Sequence, residues 1–331
     1  MKLVRPTLSI VVPLYNSAAT LPRLLEELSA ISIQGGVELV LVNDGSRDET
    51  ERLAHQLIER CSAPVTFISL SRNFGEHNAV LQGLRASTGE FVVTMDDDLQ
   101  NPPSEVLKLF RVAQTEERDV VYSVYEEKQH AWWRNFGSRL TNTIADWSID
   151  KPKGLYLSSF RCIARFVVDE IAKSENPYPY IDALIFQVTQ NVGVVTVRHD
   201  ARSEGQSGYT VRKLLRLWMS MLVNASIMPL RFAALLGIAM SSVGFVAVVY
   251  VLVNHFLHRE PLGWGSLMAA LLVFSGTQLL LLGIVGEYIG RIYMRVSEKP
   301  QSIVRYRLEH TPRALTAQTA ASSFAHPRHD G

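Results

Sequence analysis

Cysteine is scarce in this chain, which has only Cys61 and Cys162 among 331 residues. The two cysteines lie far apart in sequence and lack the close spacing of zinc-binding pairs. A disulfide-stapled secreted domain would need more of them. The sequence therefore excludes a cysteine-based zinc site and a disulfide framework, and it indicates a reducing compartment.

An excess of charge of either sign is also missing. The chain has 33 Lys and Arg against 32 Asp and Glu, a formal net charge of +1. A nucleic-acid-binding domain usually carries a clear basic excess, so no nucleic-acid partner is predicted. The apolar run before Pro13 and Asn16 is too short for a secretory signal peptide, and none is predicted.

Charged residues are absent from two long stretches, 232–254 and 264–286, of 23 residues each. Each stretch is long enough to cross a bilayer core as a helix. A pair of buried core helices is the alternative, but we predict a transmembrane hairpin. Small residues available for packing the two helices together are Gly237, Gly244, Gly276 and Gly283.

Lys and Arg flank these two spans, and only Arg259 lies between them. Under the positive-inside rule, this asymmetry places the large N-terminal part and both termini in the cytoplasm. The flanking residues are Arg212, Lys213, Arg216 and Arg231 before the first span, and Arg291, Arg295 and Lys299 after the second.

Tryptophan is absent from the first 131 residues, and all five tryptophans follow. Three of them lie in segment 131–149 and one in segment 209–224, and both segments have an amphipathic helical pattern. Tryptophan favours the membrane interface, so we predict two helices lying on the cytoplasmic leaflet. Ordinary core packing is the alternative for the first.

Short runs rich in β-branched residues alternate with helical patterns over the first 125 residues. The predicted strands are 8–12, 37–42, 65–70, 90–95 and 119–124. This alternation is typical of an α/β fold with a mostly parallel sheet covered by helices. Ligands bind at the carboxyl ends of the strands in such folds.

Polar residues follow the first four predicted strands. They are Tyr15 and Asn16, Asn43 and Asp44, Arg72 and Asn73, and the run Asp96–Asp98. Because the strands are predicted to be parallel, we expect these residues to share one edge of the sheet and to form a site.

The acidic run Asp96–Asp98 calls for positive charge, because three adjacent carboxylates repel one another. Oxygen ligands suit Mg²⁺ or Mn²⁺. If strand geometry continued, Asp96 and Asp98 would point the same way toward one ion, and Asp97 would point elsewhere. Exposed charge before a helix start is the alternative.

Several motifs in this chain resemble those of one known family. They are SIVVPLYN, VNDGSRDET, the long run from Arg72 to Pro103, RSEGQSGY and LLGIVGEYIGRIYMRV. Together they resemble the GT-A-fold, family 2 glycosyltransferases that act on polyprenyl phosphates. Dolichol-phosphate mannose synthase and bacterial transferases that use undecaprenyl phosphate belong to this group. The resemblance covers roughly residues 7–305.

The resemblance implies a division of the chain into four parts. Residues 1–130 would be the GT-A (Rossmann-like) nucleotide-sugar-binding domain, and 131–227 the rest of the catalytic domain with the interface helices. Residues 228–296 would hold the two transmembrane helices, and 297–331 a cytoplasmic tail, partly disordered. The protein would lie in the bacterial inner membrane, and the family suggests a homotetramer.

The resemblance also implies roles for individual residues. The base and ribose of a nucleotide would contact Pro13, Tyr15, Asn16 and Asp44, with Arg72 and Gly75 bordering the pocket. The metal and diphosphate would be held by Asp96 and Asp98, with Asp97 and Gln100 close by. The acceptor phosphate would contact Arg134 and Ser138, and a loop with Arg202, Ser207 and Tyr209 would close over the phosphates.

Three positions depart from the family pattern. Ser17 stands where Glu is frequent, Asp97 where Ala is frequent, and Gly208 where Lys is common. The last change removes a cation near the expected phosphates.

The implied activity is inverting transfer of one sugar from a nucleotide-sugar to a polyprenyl phosphate. UDP is the expected nucleotide with GDP second, and undecaprenyl phosphate the expected acceptor. A processive polysaccharide synthase is one alternative, but the sequence has no Gln-x-x-Arg-Trp motif and only two predicted spans. A non-catalytic, membrane-tethered nucleotide-sugar sensor is the other, and an intact Asp96–Asp98 pair with Arg72 argues against it.

Overall fold

The computed structural model describes residues 6–125, 155–177, 179–198, 264–296 and 300–312, with short helical stretches between 234 and 257. These residues belong to two compact units. The first unit holds the residues up to 198 together with 300–312, and the second holds those between 234 and 296. The chain thus leaves the first unit, forms the second and returns to the first.

The first unit is built on an eight-stranded sheet. Its strands are β1 (Leu8–Leu14), β2 (Val37–Asn43), β3 (Val65–Leu70), β4 (Phe91–Thr94), β5 (Val120–Tyr125), β6 (Arg161–Ala164), β7 (Val192–Val197) and β8 (Val304–His310). They lie in the order β7-β5-β6-β4-β1-β2-β3-β8. Pairing is parallel for β1 with β2 and β4, for β2 with β3, and for β5 with β7. It is antiparallel for β6 with β4 and β5, and for β8 with β3.

The five predicted strands are confirmed as β1 to β5, with ends that differ by two residues or fewer. Every residue of β1 is buried, and β2 has one partly exposed residue. Such continuous apolar runs mark strands that are covered on both faces, as in parallel sheets. The predicted mostly parallel α/β sheet is confirmed, whereas the sequence pattern did not predict β6, β7 or β8.

Six helices of the described chain accompany this sheet: α1 (Leu21–Ser29), α2 (Thr50–Ile58), α3 (Glu76–Ala86), α4 (Val106–Thr115), α5 (Arg165–Ile171) and α6 (Ile181–Val188). In α1 the buried residues Leu21, Leu24, Leu25 and Leu28 recur at helical spacing. This spacing gives the helix one apolar stripe. The stripe packs into the main core with residues of β1 and β2.

Strand β8 brings the chain back to the first unit by pairing antiparallel with β3. Side-chain contacts also join this part of the chain to the first unit. Gln82 Nε2 donates a hydrogen bond of 2.6 Å to Ser302 Oγ, and His55 Nε2 lies 2.8 Å from Tyr306 Oη. Residues 304–310 therefore form an edge strand, although they had been assigned to a C-terminal tail.

The second unit contains α7 (Trp264–Val296), which covers the whole of the second predicted span. Helical backbone is also present at 234–239 and 242–246, within the first predicted span. Large apolar side chains of α7 are exposed, such as Leu267 at 66% and Leu279 at 70%. In the part of the chain that the structure describes, no helix is both long and apolar enough to cross a membrane. The transmembrane character of both spans stays a prediction.

Two of the four small residues proposed for helix packing do face the neighbouring helix. A Cβ added to Gly244 would come within 2.7 Å of Phe274 Cζ, and one on Gly237 within 3.5 Å of Leu281 Cδ1. The absence of a side chain at Gly244 thus allows the close approach of Phe274. No described atom lies within 4 Å of a Cβ built on Gly276 or Gly283.

The two predicted interface helices, 131–149 and 209–224, lie outside the described residues. The predicted disorder of the tail after residue 312 lies outside them as well.

Candidate active site at the carboxyl edge of the sheet

The carboxyl ends of β1, β2, β3 and β4 share one edge of the sheet, because these four strands are mutually parallel. Leu14 at the end of β1 lies opposite Asn43 at the end of β2, and Asn43 lies opposite Ser69 near the end of β3. Thr94, which ends β4, lies opposite Val11 of β1. The polar residues that follow each strand therefore meet at this edge, as predicted.

The acidic run does not continue the strand, so the condition under which Asp96 and Asp98 would point the same way is not met. Strand β4 ends at Thr94, and the backbone bends over residues 97–100. Leu99 has a positive φ of 58°, which is uncommon for a residue with a branched side chain. Asp97 and Asp98 thus lie in the bend, whereas Asp96 precedes it.

Each carboxylate of the run accepts a different hydrogen bond. Asp97 Oδ2 accepts one from the backbone N–H of Tyr15 at 3.1 Å and another from the hydroxyl of Ser17. Asp96 Oδ2 accepts one from Ser159 Oγ at 2.6 Å. Asp98 Oδ1 accepts one from the backbone N–H of Gln100 at 3.1 Å. Asp97 therefore ties the run to the end of β1, whereas Asp96 contacts the segment before β6.

Burial raises the pKa of Asp97, and the charges of Asp96 and Asp98 raise it further, while the hydrogen bonds from Ser17 and Tyr15 oppose the rise. Ser17 and Asp97 are two of the three positions that depart from the family pattern, and their side chains contact each other. The two departures are therefore a matched pair that fixes the loop after β1.

A metal site can be tested against these donors. Among the residues that the structure describes, no group of three or more His, Cys, Asp or Glu side chains is arranged to hold a metal ion. Mg²⁺ is usually bound through one or two carboxylates, with substrate phosphates and waters completing its shell. Asp96 and Asp98 supply oxygen donors of that kind. They fit an ion that arrives with a phosphorylated substrate.

Asp44 accepts hydrogen bonds from the loop after β3 in this structure. It is only 3% exposed, and its two oxygens accept backbone hydrogen bonds from Phe74 at 2.7 Å and Gly75 at 2.9 Å. Burial raises its pKa, and the two backbone hydrogen bonds lower it. Asp44 thus anchors the loop that carries Arg72, and direct contact with a nucleotide stays a prediction.

Glycine is required at two points of these loops. Gly45 has a φ of 64°, and a Cβ there would lie 2.4 Å from the backbone carbon of Arg72. Gly75 has a φ of 96° and precedes α3. The loops after β2 and β3 therefore approach each other closely because Gly45 has no side chain.

The loop after β1 presents Tyr15, which is 45% exposed at this edge. Asn16 has a φ of 55°, and its Oδ1 accepts a hydrogen bond of 2.9 Å from the backbone N–H of Arg47. Pro13 instead lies inside β1, is buried and pairs in register with Val42. Of these three predicted contacts, Tyr15 and Asn16 are exposed at the edge, whereas Pro13 is buried.

Arg72 lines a cavity of about 250 Å³ between the loops after β2 and β3. Its guanidinium carbon lies 4.6 Å from the centre of the Phe74 ring. Five further predicted site residues, Arg134, Ser138, Arg202, Ser207 and Tyr209, lie outside the described residues, so their roles stay predictions.

The sequence pattern missed Ser159 and Glu76. Ser159 precedes an unpredicted strand, so no signal connected it to Asp96. Glu76 lies within one of the motifs, but no role was predicted for it; it begins α3 directly after Gly75 at the same edge. Loss of solvent around its carboxyl group, followed by the charge of Asp96, raises the pKa of Glu76 to about 7.

This shift predicts how stability depends on pH. Folding favours the protonated form of Glu76. Its contribution to the free energy of unfolding is therefore fully present below pH 4.5, and it is lost as the pH rises through about 7. In EDTA, Glu76→Gln should therefore unfold at a higher temperature than the wild type above that range. The unfolding temperatures of Glu76→Gln and the wild type should converge below that range. Thermal unfolding across pH measures this, with exposed Glu26→Gln as the control, and a pH-independent difference would contradict it.

Comparison with known proteins places this geometry in a family. Residues 9–171 match the model described as Glycosyl transferase family 2, and residues 228–292 match the GtrB C-terminal hairpin. The undecaprenyl-phosphate 4-deoxy-4-formamido-L-arabinose transferase of Pseudomonas aeruginosa (strain LESB58) is 34% identical over 323 residues, covering 96% of this chain and 94% of that protein. The transferase of the same name from Sodalis glossinidius (strain morsitans) is 31% identical, covering 94% and 97%.

Among solved structures, the chain is similar to glucosyl-3-phosphoglycerate synthase from Mycobacterium tuberculosis in complex with Mn²⁺ and UDP-glucose. The identity is 20% and the TM-score 0.49, covering 66% of this chain and 77% of that one. The sequence relatives extend over nearly the whole chain, so it is they that establish the family. The chain belongs to glycosyl transferase family 2 and carries the C-terminal hairpin of GtrB, which confirms the resemblance of its motifs.

Proposed function

We propose that the protein transfers one sugar from a nucleotide-sugar, with UDP as the expected nucleotide, to undecaprenyl phosphate. The observation that carries the proposal is the similarity to relatives named as undecaprenyl-phosphate sugar transferases, which extends over 96% of the chain. The placement of Asp96 and Asp98 at the carboxyl edge agrees with it, since ligands bind at this edge in α/β sheets.

The donor would lie along the edge formed by the first four strands. Tyr15 and Arg72 would contact the nucleoside, while Asp44 and the Ser17–Asp97 pair hold the loops in place. The diphosphate would lie near Asp96, Asp98 and Gln100. A bound Mg²⁺ or Mn²⁺ would stabilise the negative charge that develops on the departing nucleoside diphosphate.

The acceptor needs positioning more than it needs a base. The second pKa of a phosphomonoester is near 6, so a lipid phosphate is already mostly dianionic at neutral pH. Arg134 and Ser138 would hold this phosphate, and the loop with Arg202, Ser207 and Tyr209 would close over the reacting groups. Attack from the side opposite the leaving group would invert the anomeric centre.

We further propose that the reaction occurs at the cytoplasmic face of the bacterial inner membrane. The GtrB hairpin match over 228–292 and the exposed apolar side chains of α7 support residues 228–296 as the membrane-embedded part. The chain returns from this part to β8 of the first unit. Cytoplasmic placement of both flanks of the hairpin is the arrangement that the distribution of Lys and Arg favours.

A transfer assay tests this function. Detergent-purified protein is incubated with undecaprenyl phosphate, Mg²⁺ or Mn²⁺, and a panel of radiolabelled UDP- and GDP-sugars, and label in the organic phase is counted. We expect one donor to label the lipid and EDTA to abolish the labelling. Nucleotide binding without any transfer across the panel would instead favour the sensor alternative.

A further inference from the structure

The cavity of about 250 Å³ beside Arg72 is bounded on a third side by the returning strand β8. It is lined by Gly45, Ser46 and Arg47 after β2, by Ser71, Arg72 and Asn73 after β3, and by Glu51, Leu70 and Arg305. Pockets that hold whole ligands usually measure about 300–1,000 Å³. This cavity therefore suits one part of a larger ligand.

Donors outnumber acceptors among the charged groups of the cavity. Arg47, Arg72 and Arg305 form no ion pair with a carboxylate among the described residues. The one carboxylate in the lining, Glu51, already accepts hydrogen bonds from the hydroxyl of Tyr306 and from Asn43 Nδ2. A ligand that enters the cavity therefore meets guanidinium donors, and it must present acceptor oxygens.

A β-bulge places Arg305 at this cavity. Tyr306 lies opposite Ser69, but Val304 lies opposite the next residue, Leu70, so Arg305 is the extra residue of β8. Bulges of this kind redirect a side chain and are frequent at sheet edges and beside active sites. Arg305 Nη2 is 3.5 Å from the carbonyl oxygen of Ser71, in the loop that carries Arg72.

The neighbouring residue fixes the bulge. Tyr306 Oη lies 2.8 Å from His55 Nε2 of α2, and its hydroxyl donates to Glu51 of the same helix. The Tyr306 ring also packs near Phe67, with ring centres 6.2 Å apart. Arg305 is therefore held against the loop by contacts that Arg307, which pairs with Glu309 at 2.9 Å, does not share.

The position of the cavity along the sheet indicates which part of a donor would reach it. In the order β4-β1-β2-β3, three strand spacings separate the acidic run from β3. At about 4.8 Å each, these spacings amount to about 14 Å. A donor whose diphosphate lies at Asp96 and Asp98 would extend its nucleoside in this direction.

We propose that Arg305, together with Arg47 and Arg72, holds the base of the donor nucleotide in this cavity. The inference rests on the proposed function. Guanidinium groups pair with the carbonyl oxygens of bases, so the cavity favours uracil or guanine and disfavours adenine, which presents an amino group instead. The strand that follows the GtrB hairpin thus completes the nucleotide site.

Binding measurements on the full-length protein test this role. By calorimetry with Mg²⁺ present, Arg305→Ala is expected to weaken UDP binding about ten-fold or more, because a charge-assisted hydrogen bond is lost. Pyrophosphate, which has no base, should bind Arg305→Ala and the wild type alike. Arg307→Ala, two residues along the same strand, should match the wild type with both probes.

Equal UDP affinity of Arg305→Ala and Arg307→Ala would overturn the inference. Equal weakening of UDP and pyrophosphate by Arg305→Ala would overturn it too, because the arginine would then contact a phosphate. Lipid transfer by the same preparations separates the two proposals. A wild type that binds UDP but transfers no sugar counts against the proposed function, whereas the comparison of the two variants decides the role of Arg305.

Discussion

Replacing Asp98 with asparagine is expected to lower the rate of sugar transfer at least about a hundred-fold, without loss of the fold. Asp98 lies in the bend after β4, where its Oδ1 accepts the backbone N–H of Gln100. An asparagine oxygen keeps this hydrogen bond, but the negative charge that a divalent cation requires is lost. Initial rates at saturating donor, with Mg²⁺ or Mn²⁺, measure the effect, and thermal unfolding checks the fold.

Two variants serve as controls for this prediction. Asp169→Asn removes a carboxylate from a surface pair with Arg165, and it should keep the wild-type rate. Asp97→Asn loses charge between the two proposed ligands, but its Oδ2 contacts Tyr15 and Ser17, so its main expected effect is on donor affinity. Wild-type rates in Asp98→Asn, together with no effect of EDTA, would contradict a metal site at this run.

Replacing Arg161 with methionine is expected to destabilise the fold by about 3–5 kcal/mol. Arg161 is 2% exposed, and Nη1 donates to Asp182 Oδ1, which is also buried at 6% exposure. Tyr122 Oη donates to the same oxygen at 2.8 Å. Burial lowers the pKa of Arg161, but the facing Asp182 carboxylate outweighs it and raises the pKa overall. Without the arginine, a carboxylate is left buried and uncompensated.

Thermal unfolding of the full chain measures this loss, which corresponds to a fall of roughly 10 °C in Tm. Arg23→Met, which breaks an exposed pair with Glu27, should change stability by less than about 1 kcal/mol. Adding Asp182→Leu to Arg161→Met should recover part of the loss, because no charge remains buried. If Arg161→Met unfolds at the wild-type temperature, the buried pair does not stabilise this unit.

The strands that the sequence predicted and those it missed differ in their surroundings. β1 and β2 are covered on both faces, so their residues form continuous apolar runs that can be recognised locally. β6 has only four residues, and its Arg161 is buried through a partner 21 residues away. β8 is an exposed edge strand with alternating Arg and apolar residues. Its pairing with β3 depends on a fold that brings the chain back after more than 200 residues, which no local pattern encodes.

The candidate site also contains features that the sequence predicted and features that it did not. Polar residues after successive parallel strands must meet at one edge, so that edge could be predicted from strand order alone. The contact between Ser17 and Asp97 joins residues 80 apart, and no sequence pattern predicted that these two side chains meet. Arg305 could not be assigned to the edge, because its position depends on both the return of β8 and the bulge within it. Tertiary contacts fix the positions of these residues, whereas local sequence patterns were enough to predict β1 to β5.

The mass of the lipid product tests the central claim most directly. Undecaprenyl phosphate is incubated with the purified protein, divalent metal and the donor that labels the lipid, and the extracted lipid is analysed by mass spectrometry. A single new species, heavier than the acceptor by one sugar residue and absent in the Asp98→Asn reaction, is the predicted result. A ladder of species with increasing numbers of sugars, or an unchanged acceptor mass with every donor, would contradict transfer of one sugar to this lipid.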